Sequence, residues 1–222
     1  MASSTVENYL KHILLLSEGG DGLVSMGALA ESLAVVPGTV TTMVKALAEG
    51  GFARHHPRQG VKLTDAGRRV ALNVLRKHRL VETFLVNVLK MDWSQVNTEA
   101  EQLEHAISDA VLARLDALLG YPTSDPHGDP IPSSSGQMPA QVYVTLANCP
   151  TDKPLRVVRV TDQSAEFLKF VETSGLSPDA HVRVTGRNPA SGLITVKKSG
   201  GRPIALSLTA SSRILVAPSR SA

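Results

Sequence analysis

The sequence predicts a mainly α-helical chain that ends in a smaller β part, with a winged helix-turn-helix at its start. Three observations carry this. Apolar residues recur at helical spacing through most of residues 5–119. Short β-branched runs replace them beyond residue 155. Between the two lies a stretch rich in Pro and Ser, with Pro122, Pro126, Pro130, Pro132, Pro139, Pro150 and Pro154, where regular structure is improbable. The expected division is a winged-helix domain over 1–64, a helical domain over 65–121, a linker over 122–154 and a small β-barrel over 155–222.

Each element follows from its residues. Val6, Tyr9, Leu10, Ile13, Leu14 and Leu16 mark a first helix from Thr5 to Glu18, with Thr5 placed to cap it and Gly19-Gly20 to stop it. Ser25 caps a short helix from Met26 to Leu33. A turn is expected at Ala34–Gly38, because Pro37 fixes φ and Gly38 frees it. Val40, Met43, Val44 and Leu47 then define a helix from Thr39 to Glu49, closed by Gly50-Gly51. Two short helices around a tight turn, followed by a Pro/Gly hairpin over Phe52–Thr64, describe a helix-turn-helix with its wing. Thr64 caps a long helix from Asp65 to about Leu89, with Val70, Leu75, Leu80, Phe84, Leu85 and Val88 on its apolar face. Thr98 is expected to cap a further helix whose inner face carries Leu103 and Ile107, and Asp109 to open another that runs to Leu119. Helices this apolar commonly pack against a second copy, which predicts a homodimer. Leu155–Val160, Val182–Thr185, Leu193–Val196 and Ile214–Val216 read as strands, with a helix over Ser164–Thr173.

No run is long and apolar enough to span a bilayer, and the N-terminus lacks a signal pattern, so a cytoplasmic protein without membrane contact is expected. Cys149 is the single cysteine, which excludes an intramolecular disulfide and a CxxC motif. The net charge of +3 hides an asymmetry. Arg54, Arg58, Lys62, Arg68, Arg69, Arg76, Lys77 and Arg79 face only Asp65 between residues 54 and 79, whereas Glu82, Asp92, Glu99, Glu101, Glu104, Asp109 and Asp116 dominate the next stretch. A basic segment suits a polyanion and an acidic one a cation.

The acidic stretch contains the densest chemistry. On a helix, residues four apart share a face, so Glu101 with His105 and His78 with Glu82 would form two ligand strips. Imidazole and carboxylate suit Mn²⁺, Fe²⁺ or Zn²⁺, and no thiolate lies nearby to favour a softer ion. Either strip alone is more often a solvated helix face than a ligand pair. Trp93 reads as core, and His12, His127 and His181 as ordinary structural histidines. Thr39, Thr41, Thr42 and Lys45 would present the recognition helix to a major groove, with Arg54, Arg58 and Lys62 on phosphates. Arg, Asn and Gln are missing from that helix face, so much of the specificity should come from DNA shape.

Taken as an ordered set, Glu7-Asn8-Tyr9-Leu10, Leu63-Thr64-Asp65-Ala66-Gly67, Arg76-Lys77-His78-Arg79-Leu80-Val81-Glu82, Glu104-His105-Ala106-Ile107-Ser108-Asp109 and His127-Gly128-Asp129-Pro130-Ile131-Pro132 resemble the diphtheria toxin repressor and manganese transport regulator family of metal-dependent transcriptional repressors. The resemblance covers nearly the whole chain. It implies double-stranded operator DNA as partner, dimerisation through the middle helices, and an SH3-like C-terminal domain as in longer members. It places metal ligands on Asn8, His78, Glu82, Glu101, Glu104 and His105, with an ancillary pair at Gln163 and Glu166 in reversed order. The chain departs from both subtypes: Asn8 is a neutral donor, Lys11 stands where manganese-type members carry a carboxylate, and Asn97 where iron-type members carry a histidine. Hard donors favour Mn²⁺, with Fe²⁺ the alternative. Two other readings compete: a di-metal carboxylate enzyme of helical-bundle type, against which a second Glu-x-x-His is missing, and a winged-helix protein without metal sensing.

Overall fold

The computed structural model describes residues 3–17, 22–139, 142–198 and 200–219. The chain divides into two compact units. One holds the residues up to His78 together with Glu101–Arg114 and Pro132–Met138; the other holds Arg79–Ala100, Leu115–Ile131 and the remainder.

The first unit opens with α1, Ser4–Ser17, whose first turn is capped by Ser3, with Val6 N–H donating to its Oγ at 3.4 Å. The helix therefore begins one residue before the expected Thr5; the expected stop at Glu18, Gly19 and Gly20 lies outside the described residues. In α2, Met26–Ser32, the Ser25 hydroxyl accepts from Ala28 N–H at 3.1 Å, as anticipated. The turn into α3, Pro37–Glu49, is made differently from expectation. Ala34 takes the left-handed conformation at φ 53°, and Pro37-Gly38 is already helical, because proline at the first helical position forfeits a donor that would be unsatisfied there anyway. The two helices meet at 108°, as a helix-turn-helix requires.

The wing follows as β1, Ala53–His56, paired antiparallel with β2, Gly60–Leu63. Val24 bridges to Val61 on the far side of β2. Gly60, at φ 138°, admits this approach, since a Cβ there would lie 2.1 Å from the Val24 carbonyl oxygen. Thr64 then caps α4, Asp65–Asn87, accepting from Gly67 N–H at 3.1 Å and donating to Gly51 O at 2.7 Å. The helix stops at Asn87 with Lys90 at φ 58°; Val88 and Leu89, expected within it, lie beyond its end and are exposed. The core joins Leu10, Ile13 and Leu14 of α1 to Leu29, to Val40, Val44 and Leu47 of α3, to Val61 of the wing and to Leu72 and Leu75 of α4.

Helix α5 runs Val96–Leu103 and α6 Asp109–Leu118. Thr98 is not the cap of α5. Asp92 instead turns the chain by accepting from Ser94 N–H at 2.8 Å, and the helix starts two residues before Thr98. Its buried residues are Val96 and Ala100, whereas Leu103, expected inside, is exposed at the helix end.

The second unit is built on a six-stranded antiparallel sheet in the order β3-β8-β4-β5-β6-β7. Its strands are β3 (Val144–Thr145), β4 (Leu155–Val160), β5 (His181–Asn188), β6 (Leu193–Lys198), β7 (Pro203–Ser207) and β8 (Ile214–Pro218). Helices α7 (Ala165–Thr173) and α8 (Leu208–Ser212) complete it. Register shifts at Val157/Arg159 and Val184/Gly186 bend β4 and β5. Val157, Val160, Val184, Ile194, Val196 and Val216 point into one core with Phe167, Leu168 and Trp93.

The proline-rich stretch has little regular structure yet is packed: Asp125, His127, Asp129, Ile131, Leu146 and Cys149 are buried. Asp125 Oδ1 accepts from the backbone N–H of His127 and of Asp129, each at 2.9 Å, and Val160 N–H donates to His127 O at 2.8 Å, fastening this turn to β4. Gly128 sits at φ 87°, where a Cβ would come within 2.0 Å of Val158 O. Gly128→Ala combines a disfavoured φ with that clash, so its urea midpoint should fall by the equivalent of about 1–3 kcal/mol. An unchanged midpoint would show that the turn is not held against β4.

Candidate metal centre

Glu104 lies at the centre of the first constellation. It is fully buried in the turn that follows α5, and three groups converge on its carboxylate. Lys11 Nζ donates to its Oε1 at 2.7 Å, His78 Nδ1 approaches its Oε2 at 2.7 Å, and His105 Nε2 lies 3.3 Å from Oε1. Lys11 also donates to Glu101 Oε1 at 2.8 Å and is only 2 % exposed. Burial pushes the Glu101 carboxyl up, but the attraction of the Lys11 ammonium and its hydrogen bond outweigh this and hold it below the usual carboxylate range. His105 reaches back to α1, with Nδ1 2.6 Å from Glu7 Oε2 and Nε2 2.8 Å from Asn8 Oδ1. A carboxylate only accepts, so the Nδ1 proton points at Glu7 and Nε2 is the nitrogen that faces Asn8 and Glu104. His12, one residue from Lys11, contacts Ser32 at 2.7 Å; burial first, and then the Lys11 charge, lower its pKa.

The geometry redraws the two expected ligand strips. Because α5 ends at Leu103, Glu101 stands on the helix while Glu104 and His105 stand on the turn after it. His78 and Glu82 also part company. His78 shares a possible ligand set with Glu101 and Glu104, whereas Glu82 shares one with Asp125 and His127. Residues four apart on α4 are offset by about 6 Å along its axis and so meet different neighbours. Gln163 donates to Asp129 Oδ2 at 2.6 Å, and Glu166 is exposed in the first turn of α7, outside the His, Asp and Glu ligand sets among the described residues.

Asp125, which sequence reasoning passed over, and His127, which it read as structural, complete the second constellation. Glu82, Asp125 and His127 are all buried, with His127 Nδ1 3.9 Å from Glu82 Oε2 and 4.0 Å from Asp125 Oδ1. His127 Nε2 lies 2.9 Å from the Trp93 carbonyl, which can only accept, and its ring stacks on the Trp93 indole at 5.4 Å between centroids. Nε2 therefore carries the proton, and the Nδ1 lone pair points at the carboxylates with no hydrogen-bond partner. Burial, then repulsion from Asp129 and Glu82, drives the Asp125 carboxyl well above its usual range despite the counter-charge of Arg79. A buried lone pair beside excess buried carboxylate is the donor chemistry that a divalent cation satisfies. The spacing Asp125-Pro126-His127-Gly128-Asp129 is the signal that could have revealed this set.

Three family models match the chain: the iron dependent repressor N-terminal DNA binding domain over residues 1–61, the iron dependent repressor metal binding and dimerisation domain over 64–133, and the FeoA domain over 144–218. The iron-dependent repressor IdeR of Mycobacterium tuberculosis is 32% identical over 215 residues, covering 91% of this chain and 92% of its own. The chain belongs to the iron-dependent repressor family. The diphtheria toxin repressor of Corynebacterium diphtheriae is 35% identical over 188 residues, 81% of either chain. Among solved structures, a manganese-dependent transcriptional repressor in complex with manganese matches with a TM-score of 0.87 and 40% identity, over 96% of this chain and 100% of that one. The repressor is thus a long member of the family, with an SH3-like FeoA domain at its C-terminus. The relatives are transcriptional repressors, which disfavours the carboxylate-enzyme reading.

In this repressor Thr39, Thr41, Thr42 and Lys45 all lie on the exposed side of α3. Thr41 and Thr42 donate their hydroxyl protons back to Pro37 O and Gly38 O, at 3.0 and 3.1 Å, so they offer methyl groups and lone pairs outward. Arg54 and Lys62 stand directly opposite each other across the wing, both exposed, and Arg58 is exposed at its tip with φ 66°.

The buried ion pairs give a stability test. Glu104→Ala removes one of two partners from a buried ammonium, and metal-free protein should lose about 3–5 kcal/mol in urea unfolding. A loss under about 1 kcal/mol would mean that Lys11 finds solvent once its partner is gone.

Proposed function

We propose that the chain is a homodimeric, cytoplasmic transcriptional repressor, without enzymatic activity, that binds double-stranded operator DNA when Asn8, Glu101, Glu104 and His105 hold a divalent ion. Mn²⁺ is the first choice and Fe²⁺ the second, since the donors are oxygen and imidazole nitrogen and no sulfur is among them. The observation that carries this reading is the convergence of His105 on Asn8 and Glu7 of α1, which links the acidic turn after α5 to the helix that packs on α2 and the wing strand β2, in the same core as α3. Glu82, Asp125 and His127 are proposed as a second site, supported by the oriented Nδ1 of His127. The functional division is 1–64 for DNA, 65–121 for metal and dimerisation, and 155–222 for the SH3-like domain, with residues 122–154 contributing Asp125 and His127 rather than serving as a passive linker.

When bound, the divalent ion supplies the positive charge that draws donors from separate elements together. Asn8 and Glu7 position α1 against the turn at Glu104 and His105. The α1 apolar face shares one core with α2, α3 and the wing, so the separation of the two recognition helices in a dimer follows from how α1 is seated. Half-sites one helical turn apart, roughly 34 Å, tolerate little error in that separation. A tenfold preference of the ion for the competent form contributes about 1.4 kcal/mol per site, which makes two sites per chain more effective than one.

In fluorescence-anisotropy titrations with operator DNA, the wild type should bind at least tenfold tighter with Mn²⁺ than with chelator, and His105→Ala should lose that difference. Equal operator affinity with and without metal would overturn the reading. For the wing, Arg54→Ala should lower the slope of log K against log salt by about one without changing which operator is preferred. An unchanged slope would remove Arg54 from the phosphate contacts.

A further inference from the structure

The Glu101–Glu104 pair faces two donor sets. His105 Nε2 lies 3.3 Å from Glu104 Oε1 and 2.8 Å from Asn8 Oδ1, while His78 Nδ1 lies 2.7 Å from Glu104 Oε2 and 3.8 Å from Glu101 Oε1, with ligand atoms of His78, Glu101 and Glu104 within 4.8 Å of one another. A cation already stands between them: Lys11 Nζ lies 2.8 Å from Glu101 Oε1 and 2.7 Å from Glu104 Oε1, the oxygen that also faces His105. We propose that the Lys11 ammonium permanently fills one of two cation positions at this carboxylate pair. The cluster then takes a single divalent ion, on the Asn8 and His105 side. This rests on the reading of Glu101, Glu104 and His105 as metal ligands.

Three features support a fixed cation over a removable one. Lys11 is buried in the middle of α1, and Glu104 is fully buried, so withdrawing the ammonium leaves both carboxylates without their counter-charge. The ammonium also donates to one oxygen of each carboxylate at charge-assisted hydrogen-bond lengths of 2.8 and 2.7 Å, so it already joins the two acids. Finally, a second divalent ion on the His78 side would have to share the space of a positive charge. His78 then acts as a positioning residue, its Nδ1–H donating to Glu104 Oε2 and fixing which oxygen turns toward His105.

Electron paramagnetic resonance of the full chain loaded with Mn²⁺, together with metal counting by mass spectrometry, tests this. The wild type should show only isolated Mn²⁺, and Lys11→Glu should bind an additional ion per chain and develop the spectrum of an exchange-coupled pair. A coupled pair in the wild type, or an unchanged metal count in Lys11→Glu, would overturn the proposal; should that variant fail to fold, the wild-type spectrum decides alone. Loss of an ion from His105→Ala is expected in either case. Its retention would strike the underlying ligand assignment and not the role of Lys11.

Discussion

Two carboxylates buried side by side demand positive charge, and in this chain Lys11 supplies it to Glu101 and Glu104. Removing an ion from water costs several kcal/mol, so an arrangement of this kind survives only where each oxygen finds a partner. Glu104 meets that condition with Lys11 on one oxygen and His78 on the other. The consequence reaches past the pair itself. Lys11, Asn8 and Glu7 line one face of α1, and Leu10, Ile13 and Leu14 line the adjoining face, within the core of the helix-turn-helix. One helix thereby carries both the ionic chemistry and the packing that orients the DNA-reading elements.

The fold was readable wherever local chemistry and periodicity agree. Ser25 as a cap, the apolar spacing of Val40, Val44 and Leu47, and the Pro/Gly turn of the wing each specify their element without help from distant residues. Reading failed where tertiary contacts decide. Thr98 has the chemistry of a cap, but the turn at Asp92 starts α5 earlier. Strand β7 begins with Pro203 and sits at the edge of the sheet, a place that tolerates proline and hides a strand from pattern recognition. The densest part of the candidate site, Glu101, Glu104 and His105, stood out in the sequence as a cluster. Its partners Lys11 and Glu7 lie about ninety residues away, where no spacing rule connects them, and only the resemblance marked Lys11 as standing at a ligand position.

The second cluster illustrates a different blind spot. A stretch with so many prolines suggests a loose connection, yet proline removes only backbone donors and leaves side chains free to converge. Here Asp125 folds the backbone around its own carboxylate, and Trp93 fixes the His127 ring by stacking and by a hydrogen bond. The indole is therefore core and orienting element at once, although nothing in its local sequence announces the second task.

Thr41 and Thr42 spend their hydroxyl protons inside α3, which leaves methyl groups as the distinctive feature of the surface turned outward. In a major groove, a methyl-bearing surface of this kind complements the methyl at C5 of thymine. Cytosine methylated at the same ring carbon displays that group in the same place. Were α3 seated in a major groove as proposed, this face would meet a pyrimidine through its alkyl substituent as well as through hydroxyl lone pairs.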